Sequence, residues 1–299
     1  NILNSKENIL VNTLVAGNQN RPSATFFEDD SSFVICFDGA GDTDGDSIAD
    51  DSDGIFYRRY SSTGVASDTY EVQVNTDQAA VHQSCEIDAG SGGSFVVAWD
   101  DTTNTDVLLS REGTGGDSVH LTPTTAYPSD TRSGATVSMN ANNDWVWAWD
   151  GKGSDDTTGI YIEKVNQTSG VDSSGEVRVN STTSGTQQNP KVNLDDNDLI
   201  LVSWEGNGSG DTAGIFARAY DLNADSTAMT TDSAAETMVN KKTSGNQDTI
   251  GMDGSGNNDY VVTWLSDGQA MPETALARWF EVDADTHALT FNSSEFYTN

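Results

Sequence analysis

The sequence repeats itself, and that repetition constrains the fold more than any single motif. The best-preserved unit runs Gln187 to Val192, Leu199 to Trp204, Gly214 to Tyr220 and Glu236 to Asn240. These are four short apolar-alternating runs separated by Gly, Asp, Asn and Ser clusters. Period-two alternation bounded by turn residues reads as four strands and their turns. The same order recurs over residues 7–75, 76–121, 122–180, 181–240 and 241–299, with the second copy the most degraded. Units of about 60 residues suit a four-stranded propeller blade. A lone sheet of that size leaves one face bare and needs neighbours.

No stretch sustains a helical period, so the expected fold is all-β. It is one domain of five four-stranded antiparallel blades, propeller-like and closed into a ring. Tandem β-sandwiches or a β-solenoid are the alternatives with the same turn chemistry. The aromatics that end each second strand, Phe37, Trp99, Trp149, Trp204 and Trp264, are expected to share a buried layer. Each unit needs one closing strand, and Tyr70 to Asn75, Val119 to Leu121, Glu176 to Asn180, Glu236 to Asn240 and Glu295 to Asn299 supply them. Residues 1–12, through Glu7 to Asn12, add a surplus copy. A spare strand beside an unpaired sheet edge is what strand addition between subunits needs, and head-to-tail use of it propagates.

With 299 residues the chain can bury a large core. Its hydrophobic content of 35% is low, but seven Trp are too many for a disordered tail. A formal charge of -33 repels nucleic acid and anionic membrane surfaces, and fits cation binding, high salt or an extracellular setting. No apolar run reaches the roughly 18 residues of a membrane helix, so no membrane insertion is expected. No signal peptide opens the sequence, so Asn1 is expected to follow a processed segment.

The strongest local signal is the loop Asp42 to Asp53. Asp42, Asp44, Asp46, Asp50 and Asp53, with the carbonyl of Ile48, offer the oxygen cage that a hard Ca²⁺ prefers. It departs from the EF-hand pattern, with Ser47 in place of Gly and Asp53 in place of Glu. The stretch resembles the Asp-rich loops of thrombospondin type 3 repeats and dockerin-like segments. Weaker versions follow Trp149 and Trp204, where Asp150, Asp155, Asp156, Glu205 and Asp211 are the candidate ligands. The whole repeat grammar is similar to tandem repeats of large secreted or surface-attached prokaryotic proteins, often set near calcium-dependent adhesin modules. That resemblance implies an extracellular, Ca²⁺-associated structural or adhesive role and carries no catalytic residues.

Only His82, His120 and His287 are present, without the setting of a nucleophilic triad. A carboxylate pair of a glycosidase could hide among so many acids. Near-copies of each loop, however, argue against a distinctive pair, so no enzyme is expected. Cys36 and Cys85 stand where other repeats carry Ala98 and Val192, which points to burial, either as a blade-to-blade disulfide or as two thiols. Asn166, Asn180, Asn207 and Asn292 begin glycosylation sequons. The leading expectation is an extracellular calcium-binding subunit of a surface filament or adhesin stalk, its partner itself in a head-to-tail homopolymer. A lectin-like propeller, stacking glycans on Trp147 and Trp279, is the alternative, and a glycoside hydrolase the third.

Overall fold

The computed structural model describes residues 8–112, 119–123, 131–165, 175–223, 235–267 and 274–298, and the fold in it is all-β. Five antiparallel sheets follow one another in chain order. The first holds β1 (Gln19–Phe26), β2 (Phe33–Gly41), β3 (Asp51–Tyr60) and β4 (Val72–Gln73). The second holds β5 (His82–Ala89), β6 (Phe95–Asp101), β7 (Asp106–Glu112) and β8 (Val119–Leu121). The third holds β9 (Arg132–Met139), β10 (Trp145–Gly151), β11 (Gly159–Val165) and β12 (Val177–Arg178). The fourth holds β13 (Gln187–Leu194), β14 (Leu199–Gly208), β15 (Asp211–Asp221) and β16 (Thr237–Met238). The fifth holds β17 (Gln247–Gly254), β18 (Asp259–Ser266) and β19 (Thr274–Val282), with β20 (Leu289–Phe291) and β21 (Phe296–Tyr297) sharing the fourth place along β19. No helix among the described residues is long and apolar enough to cross a membrane.

The first strand of each sheet lies at the centre, and Lys191 Nζ reaches Glu86 Oε1 across it at 2.7 Å. In the middle sheets the second strand is buried on both faces: β6 and β14 run Phe95 to Asp101 and Leu199 to Glu205 without an exposed residue. One face meets the preceding sheet and the other the following one. Val97 and Trp99 pack back on the first sheet, while Val96 and Ala98 pack forward on the third. Trp147 follows the same rule. It is 1% exposed against the second sheet, not the exposed sugar platform expected, because Trp145, Trp147 and Trp149 all point back.

Two recurrent clasps explain the repeat's polar letters. The Asn of each closing Val-Asn accepts the N–H of the Ile that follows Gly in the third strand: Asn75 from Ile55, Asn180 from Ile160 and Asn240 from Ile215, each at 2.8 Å. Its amide then donates to an Asp three residues before that Gly, namely Asp51, Asp156 or Asp211. In the second clasp an Arg of the third strand reaches the carbonyl of the preceding unit's closing Val. Arg218 bonds Val179 O at 2.9 Å and Arg278 bonds Val239 O at 2.6 Å.

The expected surplus strand is not a strand. Residues 8–12 form no ladder, and residues 1–7 lie outside the described residues. Instead Val11 O is held by Arg58 Nη1 at 2.8 Å, and Glu71 accepts the N–H groups of Thr13 and Leu14. Cys36 and Cys85 are joined in a disulfide between the first and second sheets, Cα–Cα 6.4 Å. Strand register aligns Cys85 with Pro190 rather than Val192. Closing a loop of this length contributes about 2–4 kcal/mol in the chain-entropy account.

The five sheets are the expected blades of a propeller-like fold, and the first and fifth line one cavity through Phe26 and Gly254 to Gly256. Four apolar clusters fill the interfaces between sheets one and two, two and three, three and four, and four and five. Among the described residues no such cluster and no hydrogen bond joins the fifth sheet to the first. The strands show the same seam. β18 alternates between half-buried and buried along its whole length, and Phe33 and Ile35 of β2 are only half-buried. On that same face of the first sheet Phe37, Phe56 and Tyr60 are buried, so the cover is thin only around Phe26, Phe33 and Ile35.

Candidate functional site

The ends of the second strands converge on the centre. Asp38, Asp100, Asp150 and Glu205 occupy the same position in the first four sheets, each following the strand-ending aromatic, and the fifth has Leu265 there. Every first strand carries a residue at positive φ near its start: Arg21, Ser84, Gly134, Asn189 and Thr249. That kink turns backbone N–H groups toward the carboxylate of the preceding sheet. Asp38 accepts from Ser84 N at 2.7 Å, Asp100 from Ala135 N at 3.1 Å and Asp150 from Asn189 N at 2.9 Å.

Glu205 breaks the series. One methylene longer, its Oε1 turns back to Gln188 Nε2 at 2.9 Å and to Asn189 Nδ2, while its buried Oε2 has no partner. A buried carboxylate oxygen without a donor is costly, on the order of 1–3 kcal/mol, unless a ligand supplies one. Glu205 faces a cavity of ≈ 600 Å³ that Glu86, Asp100, Lys191 and Asp248 also line. A second cavity, ≈ 390 Å³, opens at the other end of the first strands around Asp88, whose carboxylate is satisfied by Thr25, Ser138, Met139 and Ala89.

Burial raises the Asp100 carboxyl above its ordinary value despite its backbone hydrogen bonds. Burial likewise pushes Asp150 to about 6, and the neighbouring charges of Asp100 and Glu205 add to the rise. Three carboxylates from three successive sheets are therefore electrostatically coupled, with two of them biased toward the protonated form. A folded-state pKa raised above the unfolded one means that the native chain holds the proton more tightly. The associated stability is complete below pH ~4 and is lost as pH rises toward about 6. Relative to the parent, Asp150→Asn should therefore gain about 2–3 kcal/mol as pH rises from 4 to 7. Urea melts at both pH values check this, and a difference independent of pH would refute the raised carboxyl.

The expected calcium ligands divide. Asp42, Asp44 and Asp50 offer carboxylate oxygens within 4.8 Å of one another. The Asp46 carboxylate, which accepts the N–H of Ile48, and the Asp53 carboxylate, which takes the Ser52 hydroxyl, are not in that group. The weaker candidates are not brought together. Asp155 pairs with Arg178 at 3.0 Å, Asp156 and Asp211 serve the Asn clasps, and Asp150 and Glu205 belong to the centre. Of the sequons, Asn180 is 1% exposed with its amide fully engaged, which rules out attachment there in the folded chain. Asn207 lies in β14, not on a turn, and bonds Ser184 O. Asn292 is exposed, and Asn166 lies outside the described residues. His82 is buried, accepting from Trp99 Nε1 at 3.2 Å. Sequence reading missed Glu86, Asp100, Lys191 and Asp248. The Glu86–Lys191 pair had no local signal, but Asp100 stands directly after a strand-ending Trp, as Asp150 does.

No family model matches the chain, and no curated protein is found as a relative. Solved structures do match. A protein of unknown function from Dyadobacter fermentans DSM 18053 aligns at 10% identity over 94% of this chain and 83% of that one, TM-score 0.56. An α-L-arabinanase from Penicillium chrysogenum, complexed with arabinobiose, aligns at 11% identity over 85% and 76%, TM-score 0.51. An α-L-arabinofuranosidase from Lactobacillus brevis aligns at 11% identity over 97% and 98%, TM-score 0.49. At these identities the likeness is one of fold. It nevertheless overturns the expectation that the chain is not an enzyme, since the arabinanase carries out chemistry on this architecture. The premise that near-copied repeats give near-copied loops also fails, because the equivalent positions hold Asp38, Asp100, Asp150, Glu205 and Leu265.

Proposed function

We propose that the chain is a glycoside hydrolase acting on an oligosaccharide at the central cavity, in the manner of the third expectation above. One observation carries it: Asp100, with a raised pKa, and Glu205, with a buried unpartnered oxygen, line the same cavity. A pair whose environments differ in this way can divide acid and base roles. Asp100 donates its proton to the departing glycosidic oxygen, and Glu205 takes a proton from the water that attacks the anomeric carbon. Asp150, behind Gly134 and Asn189, is a positioning residue that accepts the Ser133 hydroxyl and the Asn189 N–H. The likeness to an arabinanase makes arabinan and arabino-oligosaccharides the first substrates to try, followed by a wider polysaccharide panel. Glu205→Gln and Asp100→Asn should each lower kcat by ~10²–10⁴-fold with the melting curve preserved. Absence of reducing sugar from any substrate in the panel would reject the reading. The lectin-like alternative retains Trp279, which is 41% exposed, and loses Trp147. The filament and adhesin-stalk reading draws no support from the site or the solved likenesses.

A second proposal keeps Ca²⁺ at Asp42, Asp44 and Asp50, hard oxygen donors that suit it, although Asp42 already accepts N–H groups of Gly45 and Ser47 at 2.6 and 2.8 Å. Excess EDTA should then lower Tm by several degrees, and an unchanged melt removes calcium from the account. The disulfide supports the extracellular setting, since such bonds persist where thiols are oxidised.

A further inference from the structure

Two of the joints between neighbouring sheets are laced beside the central cavity. The carbonyl of Thr105, just before β7, accepts the N–H of Arg132 at 3.0 Å, and that of Thr158, just before β11, accepts the N–H of Gln187 at 3.0 Å. The Thr158 hydroxyl adds a bond to Gly185 O at 2.8 Å. Between the fourth and fifth sheets these positions are held by Ala213 and Gln247. Ala213 has no hydroxyl, and among the described residues no backbone hydrogen bond joins it to Gln247. A cavity of ≈ 450 Å³ opens there, lined by Gln188, Asn207 and Thr212 of the fourth sheet and by Asn246 to Asp248 at the start of the fifth. Glu205 and Asp248 line both this cavity and the central one of ≈ 600 Å³, so the two meet at this pair. The Glu205 side chain, 3% exposed and with its Oε2 lacking a donor, stands at the junction.

We infer that the groove between the fourth and fifth sheets binds the part of a neutral oligosaccharide that extends beyond the bond cleaved at the centre. The inference rests on the glycosidase reading above and adds to it a direction and a substrate class. Three features define the ligand. Each cavity falls within the range of roughly 300–1,000 Å³ typical of ligand sites, and two that meet offer room for more than one sugar. Past Glu205 the lining is rich in amides and hydroxyls, with Gln188, Asn207, Asn246 and Thr212, groups that donate and accept as sugar hydroxyls do. No aromatic side chain lines the groove, so the hold comes from hydrogen bonds and not from ring stacking. The charge is one-sided: Glu205 and Asp248 line the groove without a Lys or Arg, and Lys191 of the central cavity is already paired with Glu86 at 2.7 Å. Uronate and sulfated chains are repelled by such a lining, and neutral ones are not. Contacts remote from the reacting bond raise kcat/KM when the transition state keeps them.

Steady-state kinetics on linear arabino-oligosaccharides of two to six units, or on the oligomers of whichever panel polysaccharide is cleaved instead, test this. From the two-unit to the six-unit substrate kcat/KM should rise by ~10-fold or more. Thr212→Trp, at an exposed position where the indole fills the groove, should cut kcat/KM on the six-unit substrate by ~10-fold or more relative to the two-unit one, with the melting curve preserved. Asn246→Ala, also exposed, should act in the same direction by a smaller factor. Equal kcat/KM at every length, or a Thr212→Trp loss that is the same on short and long substrates, overturns the inference and leaves the catalytic reading standing. Cleavage of polygalacturonate, a uronate polymer, in preference to the neutral chains overturns it too. When nothing in the panel is cleaved the catalytic reading falls, and affinity electrophoresis in gels cast with the same neutral polysaccharides tests the groove by itself. Retardation that Thr212→Trp removes supports the groove; no retardation, or retardation that survives the substitution, overturns it.

Discussion

Asn240→Ala should lower the free energy of unfolding by about 3–5 kcal/mol, read from urea midpoints. Four partners depend on this 1% exposed side chain. It accepts Ile215 N at 2.8 Å and donates to Asp211 Oδ2 at 2.8 Å, Lys242 O at 2.9 Å and Gln247 Oε1 at 3.3 Å. Alanine leaves the buried Ile215 N–H and the Oδ2 of buried Asp211 without partners, each worth about 1–3 kcal/mol. Asn240→Asp should be no better, because it sets a second carboxylate against Asp211 and loses the donor. Asn12→Ala is the control. Asn12 stands at the same place in the repeat but bonds only Leu14 O and Gln19, and should change stability by less than about 1 kcal/mol. Equal effects at Asn12 and Asn240 would show that the Asp–Asn–Ile clasp does not hold the closing strand.

Gly206→Ala should be at least as damaging, with a loss of about 3 kcal/mol or more. Gly206 follows Glu205 with φ of +134°, a conformation that L residues rarely adopt, and a Cβ there would lie 2.2 Å from the carbonyl oxygen of Thr186. That neighbour is backbone of the adjacent first strand, so relief requires moving the strand that carries Gln188 and Asn189. The substitution should therefore also disturb Glu205 and the cavity. Gly39 and Gly151 repeat the arrangement, with Cβ positions 2.0 Å from Asn18 O and 2.1 Å from Thr131 O. Gly92→Ala isolates the backbone term: its φ is +66° but nothing lies within 4 Å, so the change should be about 1 kcal/mol. Comparable losses at Gly92 and Gly206 would refute the close-approach account.

Much of the fold was legible because short apolar runs bounded by Gly and Asp leave few alternatives to strands. Val119 to Leu121 was found even in the most degraded unit. Packing direction was not legible. A run such as Trp145-Val146-Trp147-Ala148-Trp149 is apolar throughout, and sequence alone does not say that both faces are covered. That is why Trp147 looked available. The acids of the third and fourth units were misassigned for a related reason. Counting carboxylates in a loop suggests a cation, whereas the spacing Asp156 to Gly159-Ile160, repeated as Asp211 to Gly214-Ile215, points to the Asn that closes each unit. The seam had one trace in the sequence, Leu265 in place of an acid, which gains meaning only when the carboxylates of the earlier sheets are seen clasping their successors. The central site depends on side chains from sheets far apart in sequence, such as Glu86 and Lys191, and no local pattern encodes such a meeting.

A circle of blades fixes its own membership, since adding or deleting one forces every wedge angle to change. Duplication or loss of a whole unit in the gene would therefore have to reshape every interface between blades at once, together with the central cavity they line.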